Sequence, residues 1–123
     1  MADLTILIPE ETFSPNIVRC VATDVSLSGV RLKTYQLNKN DYLSLIKTVH
    51  FAKVVIELPY SQEPLNARAS IVWVEYHEPK GGEGPYCILG LKFERLSKGG
   101  EQLLENAIAR LAQDSISLDF GPT

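Results

Sequence analysis

Six consecutive residues, Asp24-Val25-Ser26-Leu27-Ser28-Gly29, bring together a carboxylate, two hydroxyls and a glycine, and Arg31 and Lys33 follow at alternate positions. A carboxylate accepts hydrogen bonds, a hydroxyl donates and accepts, and a glycine lets backbone approach another group closely. A guanidinium fork and an ammonium beside them would complement one defined anion. The same residue types also build a turn unaided. Asp and Ser bond their own backbone between strands, and Gly29 would supply a positive φ. A structural role and a ligand role are both expected of Asp24, Ser26 and Gly29. Arg31 and Lys33 read plainly as a solvated strand face, and more sharply as cations that serve a site.

The other reactive side chains form no constellation. Cys20 and Cys87 each sit in an apolar segment, outside any CxxC pair. They read as buried thiols of a reduced cytoplasmic protein. A Cys–His nucleophilic pair with His50 or His77 is formally available, but nothing supplies oxyanion donors, so no catalytic residue and no enzyme is expected. Two cysteines and two histidines do not make a zinc site, so no metal is expected.

The elements that must position these residues come from a chain of 123 residues, long enough for one domain with its own core. Hydrophobic residues make up 45%, and the formal net charge is −3. That balance excludes a disordered chain, and it lacks the basic field that DNA or RNA binding needs. No basic N-terminal leader is read at Met1-Ala2-Asp3, and no apolar run reaches the length of a membrane helix, so no membrane insertion is expected.

Hydrophobic alternation with a period of two dominates. It predicts strands over Leu4–Ile8 (ended by Pro9), Ile17–Thr23, Val30–Thr34, Phe51–Leu58 (stopped by Pro59), Asn66–Tyr76 and Tyr86–Glu94. The last two read as a hairpin whose tip, Glu78–Pro85, is rich in Gly and Pro. Asn38–Thr48 reads as a loop or one to two helical turns. Leu103, Leu104, Ala107, Ile108 and Leu111 recur at helical spacing, with Ser97 a candidate cap and a frayed polar tail from Asp114. The expected fold is mainly β: a small six-stranded antiparallel barrel with a C-terminal α-helix. It forms one domain over residues 1–113, with a tail over 114–123. Trp73 and Phe93 are expected in its core.

Asp24–Gly29 followed by Val30-Arg31-Leu32 resembles the DxSxxG motif of the PilZ domain family. Val54–Pro59 (VVIELP), Ala69–Trp73 (ASIVW), Ile88–Phe93 (ILGLKF) and the C-terminal helix are similar to that family's later elements. The resemblance implies a six-stranded barrel that is not an enzyme. It implies a bacterial signalling module whose default ligand is the second messenger cyclic di-GMP, with a protein partner or neighbouring domain to receive the signal. Asp24, Ser26, Gly29 and Arg31 would then be the ligand-binding residues. Arginine matches phosphate oxygens and the guanine O6/N7 edge, and a carboxylate accepts from guanine N1–H and N2–H₂. Trp73 could also stack on guanine. No cofactor is implied.

One element of the family's site has no counterpart. Its RxxxR segment, expected just before the first strand, is absent from this sequence. Two lost bidentate arginines would weaken binding by roughly two to four decades. Either the arginines lie upstream of Met1 in a longer chain, or the protein is a divergent member. In the latter case the alternative is a nucleotide-independent adaptor, as for PilZ relatives in pilus or motility regulation. In the receptor reading, the ligand would reorganise an N-terminal segment over the barrel.

Overall fold

The structure, a computed structural model, describes the backbone of residues 2–7, 17–47, 50–58 and 61–120, and the side chains of 17–47, 50–58 and 61–111. Ile8, Pro9, Thr48 and Pro59, read above as element ends, lie outside the described residues.

The strands are β1 (Ala2–Leu7), β2 (Ile17–Val25), β3 (Gly29–Thr34), β4 (His50–Ile56), β5 (Leu65–His77) and β6 (Tyr86–Leu96). They close into a barrel in the order β1-β2-β3-β6-β5-β4, with every neighbouring pair antiparallel. Alternation decides which side chains enter it. In β4, Ala52, Val54 and Ile56 are buried, while Phe51, Lys53 and Val55 face outward. Val18, Leu32 and Leu89 are fully buried beside them. Truncating a leucine such as Leu32 to alanine costs roughly 3–5 kcal/mol, because a core this narrow has little room to collapse.

Among the described residues two helices complete the fold. The ambiguous segment after β3 forms α1 (Lys39–Leu45), started by a capping box. The Asn38 side chain accepts from the Asp41 N–H at 2.9 Å, and the Asp41 carboxylate accepts from the Asn38 N–H at 3.0 Å. Helix α2 (Gly100–Phe120) turns Leu104 and Ala107 onto the core and packs against β5. Ser97 contributes its backbone carbonyl, which accepts from the Gly100 N–H at 2.8 Å. The backbone of α2 continues through the segment expected to fray from Asp114. Once a helix is nucleated each residue adds a bond, and no Gly or Pro interrupts before Gly121. β1 begins at Ala2, two residues earlier than expected, which places Asp3 inside the strand and opposite Arg19.

Trp73 is not in the core. The β5–β6 register slips between Ile71 and Trp73, where Val72 is the extra residue. Before the slip the odd positions of β5 point inward (Leu65, Ala67, Ala69, Ile71). After it the even positions Val74 and Tyr76 pack against the core. A bulge reverses the face of every later residue, so Trp73 turns outward and is 41% exposed. Phe93 is partly buried and packs against the core, as expected.

Candidate functional site

A second bulge does for Asp24 what the first does for Trp73. The β2–β3 register slips between Ala22 and Asp24, with Thr23 the extra residue. Val18 and Cys20 point inward before it, and Val25 packs on the core after it. Asp24 therefore faces solvent instead of the interior. It stands cross-strand from Arg31, Arg31 stands opposite Gly90, and Gly90 stands opposite Trp73. One row across β2, β3, β6 and β5 thus reads carboxylate, guanidinium, gap, indole.

The gap is filled from the side. A Cβ on Gly90 would overlap the indole of Trp73, so the ring lies over the glycine backbone. The row floors a surface groove of about 410 Å³, completed by Ser26, Ser28, Val72 and Lys92. Asp24 and Arg31 form an ion pair at 3.6 Å, and both side chains are more than half exposed. Such a pair holds itself by only about 0–1 kcal/mol. Lys92 is exposed and makes no ion pair among the described residues.

Ser26 and Gly29 serve the turn. The Ser26 hydroxyl accepts from the N–H groups of Ser28 (3.3 Å) and Gly29 (3.2 Å) and lies 3.1 Å from the Ser28 hydroxyl. The Ser26 N–H donates to the Gly29 carbonyl at 2.9 Å. The Phe93 N–H donates to the Ser28 carbonyl at 2.8 Å, which ties the turn to β6. Gly29 does not have the positive φ expected of it; among the described residues the left-handed glycines are Gly81, Gly82 and Gly99. Its requirement is closeness: a Cβ would collide with the Leu91 carbonyl oxygen of β6. The tight approach of β3 to β6, opposite Lys92, selects glycine here.

Lys33 leaves the site altogether. Gly81 and Gly82, at φ +61° and +84°, make a tight turn closed by mutual backbone bonds between Lys80 and Glu83. This places Glu83 within 3.1 Å of the Lys33 ammonium and 2.6 Å of the Tyr35 hydroxyl. The ammonium also lies 4.2 Å from the centre of the Tyr86 ring. Tyr35 and then Glu83 hold Lys33 above its ordinary pKa, and Tyr35 and then Lys33 hold Glu83 below its own. The cation that joins Arg31 at the groove is Lys92.

Both cysteines are buried thiols. The Cys87 thiol lies 3.9 Å from the Leu37 carbonyl, and burial, with a smaller effect from Asp41, pushes its pKa to about 11. His50 Nε2 lies 3.3 Å from the Ser44 carbonyl, and His77 stacks on Tyr86 with ring centres 4.5 Å apart. Among the described residues His77 Nε2 also lies 3.3 Å from a Glu75 carboxylate oxygen. No helix among them is long and apolar enough to cross a membrane.

Sequence reading puts Trp73 in the core, with guanine stacking as the lesser alternative, and misses Gly90 as the gap beneath it and Lys92. Lys92 was legible as the outward member of Leu91-Lys92-Phe93. The position of Trp73 was not, because a bulge leaves no mark on an alternating pattern.

The family model of the PilZ domain matches residues 2–110. No curated protein and no solved structure matches the chain.

Proposed function

The chain belongs to the PilZ domain family, and from that premise we propose that it is a signalling module that binds cyclic di-GMP in the groove between Asp24 and Trp73. The observation that carries this reading is the row Asp24, Arg31, Gly90, Trp73, which sets a carboxylate, a cation and an aromatic ring along one open groove.

The chemistry of the ligand fits that order. The Asp24–Arg31 pair is weak enough for a ligand to divide it at little cost. Arg31 then turns its fork to a phosphate, and Asp24 accepts from the N1–H and N2–H₂ edge of a guanine. Lys92 meets the second phosphate as a point charge. Trp73 offers its exposed surface to the other guanine, a contact worth roughly 1–3 kcal/mol per base. Ser26 and Gly29 act one step back, by fixing the turn that sets Asp24 and Arg31 side by side. PilZ domains are generally non-catalytic binding modules, so the output passes to a protein partner or neighbouring domain. The reading places the protein in the cytoplasm with its messenger.

Isothermal titration with cyclic di-GMP tests the reading. Saturable heat is expected in the micromolar range, about two decades or more weaker than a site with two further arginines. Absence of heat at high micromolar ligand would refute the receptor reading and leave the nucleotide-independent adaptor.

A further inference from the structure

A second groove lies further round the barrel, on β4, β5 and β6. Its volume is about 300 Å³, and Lys53, Arg68, Arg95, Val55 and Leu96 border it. The three cations occupy one row: Lys53 stands cross-strand from Arg68, and Arg68 from Arg95. Like charges directly opposite one another destabilise a sheet. Among the described residues no ion pair relieves them, and no carboxylate borders the groove. The nearby acid Glu94 is engaged by the Ser70 hydroxyl at 2.7 Å. The row is also a local feature, since the whole chain carries a net charge of −3.

Apolar surface accompanies the cations. Phe51 is 41% and Val55 37% exposed, and the Arg68 guanidinium lies 5.1 Å from the centre of the Phe51 ring. Arginine and aromatic residues together are the composition of interface hot spots. A phosphate alone would use the cations and leave this apolar surface wet. Lys53 and Arg68 lie on strands paired on both sides at those positions, so docking on this part of the row is by side chains. Cross-strand neighbours set the Cβ atoms of the row about 5 Å apart. Residues three or four apart on a helix have Cβ atoms about 5–6 Å apart, which matches that spacing.

We infer that the Lys53–Arg68–Arg95 face docks an acidic, amphipathic helical segment of a partner protein. Carboxylates of the partner meet the cation row, and its apolar side chains cover Phe51 and Val55. This surface is separate from the nucleotide groove and does not depend on it.

The test is fluorescence anisotropy of a labelled synthetic amphipathic helix, with glutamates at three- and four-residue spacing beside leucines, titrated with the full chain. Saturable binding is expected. It should weaken roughly tenfold or more when glutamine replaces the peptide's glutamates, and equally in the triple variant Lys53→Gln, Arg68→Gln, Arg95→Gln. The variant Lys39→Gln, Lys47→Gln, Lys80→Gln removes the same charge elsewhere and should bind as the parent does. The first triple variant should also melt no lower than the parent, because it relieves the like-charge row. Four results would overturn the inference: absence of peptide binding, equal binding by both triple variants, displacement of the peptide by inorganic pyrophosphate at lower concentration than by unlabelled peptide, or a dimer of the chain that the first triple variant dissolves.

Discussion

Asp24 and Arg31 face each other across β2 and β3 with their charged groups 3.6 Å apart, and they do so only because the ladder slips at Thr23. In an unbroken strand Asp24 would share the inward face of Val18 and Cys20. The bulge at Val72 exposes Trp73 at the far end of the same row. The groove is thus made by two of the register shifts in the barrel.

Removing either charge should separate binding from stability. Arg31→Ala and Asp24→Ala are expected to stay within about 0.5 kcal/mol of the parent in urea denaturation, since both side chains are exposed. Arg31→Ala should weaken cyclic di-GMP by about 10- to 100-fold, through loss of a charge-assisted contact. Lys33→Ala should leave affinity unchanged, because Lys33 is committed to Glu83 and the Tyr86 ring.

The two glycines of the site should fail differently. At Gly29 the obstacle to a Cβ is backbone, the Leu91 carbonyl, which cannot move without opening the β3–β6 ladder. Gly29→Ala is expected to destabilise by roughly 2–4 kcal/mol. At Gly90 the obstacle is the Trp73 ring, a side chain already at the surface. Gly90→Ala should lose less stability, swing the indole outward, and shift Trp73 emission to the red. Thermal melts and emission spectra of the two variants decide the matter.

The barrel was legible because its parity is: Ala52, Val54 and Ile56 against Phe51, Lys53 and Val55 can be read by eye. The turn was legible because Asp, Ser and Gly carry local chemistry. What could not be read is where parity breaks. Thr23 and Val72 are ordinary strand residues, and nothing in their type announces an unpaired position. Alternation alone therefore puts Trp73 in the core, with guanine stacking as the lesser reading. Lys33 reads as a solvated strand face or, more sharply, as a site cation; its partner, Glu83, is 50 residues away and arrives only through the Gly81-Gly82 turn. The requirement at Gly29 is likewise a tertiary contact, read wrongly as a local one.

Alkaline pH should weaken the fold through Cys87. The native thiol keeps its proton up to about 11, against an ordinary value of 9.0. Between those values the unfolded chain binds fewer protons than the native one, so stability falls as pH rises; below 9.0 it is undiminished. Lys33, raised above 10.5, loses its contribution only at still higher pH. Unfolding free energies from urea denaturation at about pH 8 and about pH 10 should differ by an amount of order 1 kcal/mol. Cys87→Ala should flatten that difference, and an unchanged slope in the variant would assign the loss to other groups.

Trp73 is the chain's single tryptophan, so the groove carries its own reporter. Its emission, excited selectively and titrated with cyclic di-GMP, tests the central claim most directly. Saturable quenching is expected, parallel to the heat of binding and weakened by Arg31→Ala. Heat of binding with no change in Trp73 emission would place the ligand elsewhere on the barrel, and neither signal at high micromolar ligand would contradict nucleotide binding altogether.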